Sequence, residues 1–147
     1  MATKVAQASG NWSEIAWLGG DNAVPGLGDV AQAGAFDVTL NINVSVTSLH
    51  ANGVGQFLCS TARTIIANVI NDGLVASALV LFHAAGTVTV TGNVTSTGAD
   101  NVGIVNASTG TVTVTGNVIG TDGGSGINNA STGAVNVTGD VSGVTGS

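Results

Sequence analysis

The C-terminal part of the chain writes one short sequence three times. GTVTVTGNV begins at Gly86 and again at Gly110, and the variant GAVNVTGDV begins at Gly133. The spacings are 24 and 23 residues, and GIVNAST at 103–109 matches GINNAST at 126–132. Internal repetition with this period is typical of solenoids, in which each repeat becomes stable only when it is stacked on its neighbours.

The repeat itself alternates between apolar and polar residues. In TVTVT, Val88 and Val90 point to one face and the threonines to the other, which indicates a half-buried strand. A corner is expected at Gly92-Asn93, because glycine accepts a positive φ and asparagine tolerates it. The same pair recurs as Gly116-Asn117 and Gly139-Asp140, so we expect the corners to stack. The fold class predicted is all-β, a parallel β-solenoid, with the right hand that parallel crossovers favour.

Carrying the period backwards predicts columns of inward side chains from Val38 to Ser147, which amount to four to five coils. The inward face of the first strand would hold Val38, Leu40, Ile42, Val44 and Val46. The predicted columns are Leu40, Thr64, Val88, Val112 and Val135; Ile42, Ile66, Val90, Val114 and Val137; Val46, Ile70, Val94, Val118 and Val141; and Val80, Ile104 and Ile127.

Residues 1–37 differ from the predicted solenoid domain, 38–147, in texture. They contain both tryptophans, Trp12 and Trp17, the single proline, Pro25, and a run of turn-forming residues at 19–26. We expect an irregular N-terminal arm that acts as a cap. An uncovered solenoid end is an open sheet edge that invites other chains.

The coil from 62 to 85 departs from the pattern because it is apolar at both parities. The columns above would turn four apolar residues outward: Ile65, Ala67, Leu79 and Leu81. Three explanations are open. The arm or a loop covers this face, the face is a subunit interface, or the segment is a helix. With Trp12 and Trp17, these four residues are the candidate interface.

Composition excludes several classes of function. Lys4 and Arg63 are the only Lys and Arg residues, against eight carboxylates and a formal net charge of −6, so a nucleic-acid groove is not expected. No apolar run is long enough to span a bilayer, and the N-terminus lacks the apolar region of a secretory signal. We expect a protein that stays in a cytoplasm or leaves it without a cleaved signal.

Catalytic and metal-binding patterns are also missing from the sequence, so we expect no enzyme, cofactor or metal site. His50 and His83 are the candidate bases, and each is expected to be an ordinary core or surface histidine. Cys59 is expected to be a small buried apolar residue. Asp72, Asp100 and Asp122 lie beside Gly or Asn and are interpreted as turn residues. The nearest match to a calcium-binding nonapeptide, residues 123–128, lacks the aspartate.

The outward threonines form two predicted columns, Thr89 and Thr113 above Asn136, and Thr91, Thr115 and Thr138. Regular T-x-T arrays of this kind resemble those of ice-binding proteins. Threonine is also an ordinary choice for an exposed strand position.

The first 50 residues carry a second resemblance. Gly10-Asn11-Trp12, Trp17, Val24-Pro25-Gly26, Gly28-Asp29-Val30 and the strand that follows are similar to the opening of β-helical modules in bacteriophage virion proteins and bacterial surface proteins. The resemblance implies a non-enzymatic virion protein, made in the host cytoplasm. We expect a capsid decoration or cement protein that binds a major capsid protein as a small homo-oligomer, for example a trimer. The alternatives are a tail fibre or spike segment, or a secreted or surface solenoid that acts as an adhesin or ice binder.

Overall fold

The chain folds into a parallel β-solenoid, as the repeat predicts. A computed structural model describes residues 1–72 and 75–142. Within those residues every regular element is a strand, so the alternative of a helix in the coil from 62 to 85 is wrong. Residues 143–147, predicted to belong to the solenoid, lie outside the described residues.

Seventeen strands build the described part of the chain. They are β1 (Thr3–Ala6), β2 (Gly10–Asn11), β3 (Trp17–Leu18), β4 (Val30–Gln32), β5 (Val38–Thr39), β6 (Val44–Ala51), β7 (Phe57–Cys59), β8 (Thr64–Asn71), β9 (Ser77–Leu81), β10 (Thr87–Thr91), β11 (Val94–Thr97), β12 (Val102–Asn106), β13 (Thr111–Thr115), β14 (Val118–Thr121), β15 (Ser125–Asn129), β16 (Val135–Val137) and β17 (Val141–Ser142).

Two sheets form the walls of the solenoid. Sheet B stacks six strands, β2, β5, β7, β9, β12 and β15, one from each coil, so the described chain makes six coils. Sheet A runs through β1, β4, β6 and β8 and then divides. The strands β10, β13 and β16 continue from the first half of β8, and β11, β14 and β17 continue from its second half. The later coils therefore have three walls separated by corners.

The N-terminal 37 residues, predicted to be irregular, supply strands to both sheets. Thr3 pairs in parallel with Val30, and Val30 pairs with Ser48, which places β1 and β4 in sheet A. Gly10 pairs with Val38, so β2 begins sheet B. The first step spans 27 residues and the second 18, and a fixed period of 24 therefore detects neither coil. The segment also caps the fold, because β3 runs antiparallel to β1 along the outer edge of sheet A.

The predicted columns are confirmed for the last three coils. Val88 pairs with Val112, and Val112 pairs with Val135. Val94 pairs with Val118, which pairs with Val141. The valines of the inner coils are almost completely buried, so each contributes roughly 1.5–3 kcal/mol as an upper value.

The coil from 62 to 85 is shifted by one residue from its predicted register. Val90 pairs with Ile65 and not with Ile66, because this step of the ladder is 25 residues long. A shift of one residue moves every side chain of a strand to the opposite face. Ile65 is accordingly buried, whereas Ile66 is 47% exposed. The same shift places Leu79 next to Ile104 in sheet B.

A bulge in β6 accounts for further differences from the predicted columns. The pairing of β6 with β8 slips between Ser45 and Ser48, after which Ile70 pairs with His50 instead of Val46. Ile42, predicted to point inward, is exposed because it lies in the corner between β5 and β6. The other inward positions of this stretch are buried as predicted: Val38, Leu40, Val44 and Val46.

The stacked corners are confirmed, and a ladder of side-chain hydrogen bonds joins them. Asn68 Oδ1 accepts the backbone N–H of Asn93 at 2.9 Å, and Asn93 Oδ1 accepts that of Asn117 at 2.9 Å. Asn117 Oδ1 in turn accepts the N–H of Asp140 at 3.0 Å. Each bond satisfies a backbone donor that the turn has removed from the sheet ladder.

Candidate functional surfaces

The six candidate interface residues lie in the core. Trp12, Trp17, Ile65, Ala67, Leu79 and Leu81 are each at most 3% exposed. The prediction that the last four face outward is wrong, because it assumed the 24-residue register in a coil that is shifted by one residue. The apolar residues that do face outward in this coil are their neighbours, Ile66, Ile70, Val80 and Phe82.

The two tryptophans close the N-terminal end of the core. Their ring centroids lie 4.8 Å apart at an interplanar angle of 60°, and Trp12 also packs 6.3 Å from Phe57. Trp17 Nε1 donates a hydrogen bond to the Trp12 carbonyl at 3.2 Å, which satisfies the buried indole N–H. Both rings are thus buried by this chain itself.

A buried lysine fixes the loop at this end of the molecule. Lys4 Nζ lies 2.5 Å from Asp21 Oδ1 and 3.5 Å from Asp29 Oδ2, and it donates to the carbonyl of Ala23 at 3.0 Å. Asp29 additionally accepts the backbone N–H of Ala2. These bonds hold the loop from 19 to 29 against the first residues of β1.

The charges of this cluster stabilise one another. The hydrogen bond to Asp21 raises the pKa of Lys4 above its ordinary 10.5, although burial acts in the opposite direction. The same bond lowers the pKa of Asp21 below 3.8. The pKa of Asp29 is also lowered, chiefly because its carboxylate accepts the backbone N–H of Gly26. All three groups are charged at neutral pH, so the loop is held by ionic contacts.

The N-terminal apolar surface consists of Leu18, Val24 and Leu27. All three are exposed, and Leu27 reaches 88%. They lie on β3 and on the loop that Lys4 holds, which is preordered before any partner arrives. Sequence reasoning missed this surface because the same segment was interpreted only as a cap.

The threonine face is the outward side of β10, β13 and β16 together with the start of β8. Thr89 pairs with Thr113 and, through the shifted register, with Thr64. One column therefore contains three threonines followed by Asn136, deeper than the sequence predicted. The neighbouring column begins with Ile66 and continues through Thr91 and Thr115, towards Thr138 in the coil of β16.

The outward side of sheet B carries an apolar column. Leu58 pairs with Val80, and Val80 pairs with Val105. Thr39 precedes this column in the ladder and Asn128 follows it. Phe82 lies two residues beyond Val80 on the same side of the strand and is 45% exposed.

The two histidines and the cysteine have structural contacts. His50 Nε2 lies 2.6 Å from Asp72 Oδ1 at the surface. His83 is completely buried, and its Nε2 contacts the Thr111 carbonyl at 3.1 Å. Cys59 is buried as predicted, and burial raises the pKa of its thiol, which makes it a poorer nucleophile.

The acidic residues are spread over separate turns. Asp100 and Asp122 have φ values of 65° and 53°, which confirms them as turn residues. The described residues contain no group of three or more His, Cys, Asp or Glu side chains able to hold a metal ion. They also include no helix with the length and apolar character needed to cross a membrane.

Both cationic side chains of the sequence bond within the chain. Lys4 is used in the N-terminal cluster, and Arg63 donates to the carbonyls of Leu40 and Asn41 at the corner between β5 and β6. No protein-family model matches the sequence, and no curated protein or solved structure matches it either. The resemblance to phage virion modules stays a prediction.

Proposed function

We propose that the chain is a non-enzymatic structural protein of a bacteriophage virion, a capsid decoration protein that binds the shell through its N-terminal apolar surface. The observation that carries this proposal is the exposure of Leu18, Val24 and Leu27 on a loop fixed by the buried Lys4. Apolar side chains grouped on a surface mark sites of protein association.

The preordered loop supports a role in assembly. A loop that is already held by three contacts to Lys4 loses little conformational entropy when a partner binds it. The residues that resemble phage β-helical modules, among them Trp12 and Trp17, also build this end of the molecule. The remaining coils would then project from the particle as a rigid stalk.

Binding to the shell is expected to fall at least tenfold when Val24 or Leu27 is replaced by Asp. Either change places a charge in the proposed contact, where it would be desolvated without a partner. Both side chains are exposed, so the fold is expected to survive. The measurement is co-sedimentation of the purified chain with empty shells of the phage whose genome encodes it.

The matched control is Val54→Asp, since Val54 is an exposed valine outside the N-terminal apolar surface. It should bind shells like the unmodified chain. Equal binding by Leu27→Asp would contradict the assigned surface, and no binding by the unmodified chain would contradict the decoration role. Electron microscopy of labelled virions distinguishes the shell from a tail fibre or spike.

A secreted or surface solenoid that binds ice is the second candidate, favoured by the depth of the threonine face. The column Thr64, Thr89 and Thr113 is continuous because of the shifted register. Outward positions along a strand repeat at about 6.7 Å and coils at about 4.8 Å. A regular array of hydroxyl and methyl groups at such spacings can order water into a lattice.

For this candidate, the unmodified chain should inhibit ice recrystallisation, and Thr113→Lys should remove the inhibition by breaking the centre of the threonine face. The control is Thr97→Lys, because Thr97 is exposed on β11, which belongs to another wall. Ice crystals that coarsen at the same rate with and without the chain would eliminate ice binding.

A further inference from the structure

The apolar column of sheet B has no structural need to be apolar. The side chains of Leu58, Val80 and Val105 point away from the core, which is already filled from this sheet by Phe57, Leu79 and Ile104. Outward strand positions elsewhere in the later coils carry threonine, as in β10 and β13. An unbroken outward column of three apolar residues, flanked by Phe82, thus requires another explanation.

The charge distribution indicates what kind of partner fits this face. The strands of sheet B contain no charged residue, although the whole chain has a formal net charge of −6. Two copies of an acidic chain repel one another over most of their surfaces, and an uncharged face lets them approach. A charged partner such as a nucleic acid finds nothing to pair with there.

The column is also self-complementary. Val80 lies between Leu58 and Val105 in the ladder, so a two-fold axis through Val80 brings Val80 against its own copy. The same axis places Leu58 of one copy against Val105 of the other. Such an isologous contact closes on itself and does not propagate into a fibre.

We propose that two copies of this chain associate face to face through the outward side of sheet B, with Val80 on the two-fold axis. This deepens the proposed assembly role and rests on it only in regarding the chain as an assembly protein. The face measures about 16 Å along five-residue strands and about 24 Å across five strand spacings, roughly 400 Å² per copy. That is below the area of stable complexes, so the dimer is weak in solution. Chains that are concentrated on a particle would associate more fully.

The test is a charge-pair experiment with two variants, Leu58→Asp and Val105→Lys. Sedimentation equilibrium of the unmodified chain, over concentrations reaching the millimolar range, should show a monomer–dimer equilibrium. Each variant alone should be monomeric, because its new charge faces an apolar residue of the other copy. Mixing the two variants should restore the dimer, since the introduced carboxylate of one chain meets the introduced ammonium group of the other across the two-fold axis.

Circular dichroism of each variant establishes that the solenoid is folded, and Val54→Lys is the control for an added charge elsewhere. An unmodified chain that stays monomeric at every concentration overturns the proposal. So does a dimer that survives both single variants, or a mixture that stays monomeric. None of these outcomes depends on shell binding, so a failure here is distinct from a failure of the decoration role.

Discussion

Replacing Ile65 by Asp is expected to prevent the chain from folding, whereas replacing the adjacent Ile66 by Asp should leave it folded. Ile65 is completely buried and Ile66 is 47% exposed. The first change places a carboxylate in an apolar core without a partner and removes a core side chain, at a cost of several kcal/mol. That is a large part of the roughly 5–15 kcal/mol by which a domain is typically stable.

Urea unfolding followed by circular dichroism measures the difference between these two variants. The pair is well matched, since both variants replace an isoleucine of the same strand by the same residue. The 24-residue register predicts the reverse order, with Ile66→Asp unfolded and Ile65→Asp folded. The experiment therefore tests the one-residue shift of β8 directly.

The sequence contains a sign of this shift. Thr64 interrupts an otherwise apolar predicted column, and in β8 it shares its parity with Asn68. Two polar residues of one parity mark the outward face, which leaves Ile65, Ala67 and Val69 to point inward. The period outweighs this local pattern in the prediction, although coil length varies wherever a bulge or a longer corner is inserted.

In sheet B the local pattern is less informative. β9 is apolar at both parities, and the later strand β12 turns the polar Asn106 inward. Asn106 is tolerated in the core because its Nδ2 donates to Asn129 Oδ1 at 2.8 Å and its Oδ1 accepts from Ser108. Only the pairing of neighbouring coils decides which side of such strands is buried.

The first coils are undetected by the repeat for a related reason. A parallel ladder needs matching strands but tolerates corners of any length, because the excess residues project as loops. The loop from 19 to 29 is such an insertion, and it carries both the Lys4 contacts and most of the N-terminal apolar surface. The repeat therefore predicts the architecture well and the candidate binding surfaces poorly, since those surfaces lie where the repeat has been lost.

The regular coils have little tolerance at their corners, and Gly116→Ala is expected to destabilise the chain by roughly 3–5 kcal/mol. Gly116 has a φ of 150°, and an added Cβ would lie 2.3 Å from the carbonyl oxygen of Gly92 in the coil below. Backbone of a neighbouring coil cannot rotate away as a side chain can. Relief would require the two coils to separate, which also disturbs the bond from the Asn117 N–H to Asn93 Oδ1.

Two other glycines separate the causes of this effect. Gly28 has a φ of 90° with nothing within 4 Å of an added Cβ, so Gly28→Ala measures backbone strain without overlap. Gly26→Ala has neither and should be neutral or slightly stabilising, because alanine restricts the unfolded chain. In chemical denaturation the expected order of stability is Gly26→Ala, then Gly28→Ala, then Gly116→Ala. Equal losses for the last two would mean that strain alone requires the corner glycine, and that the close stacking of corners does not set the spacing of the coils.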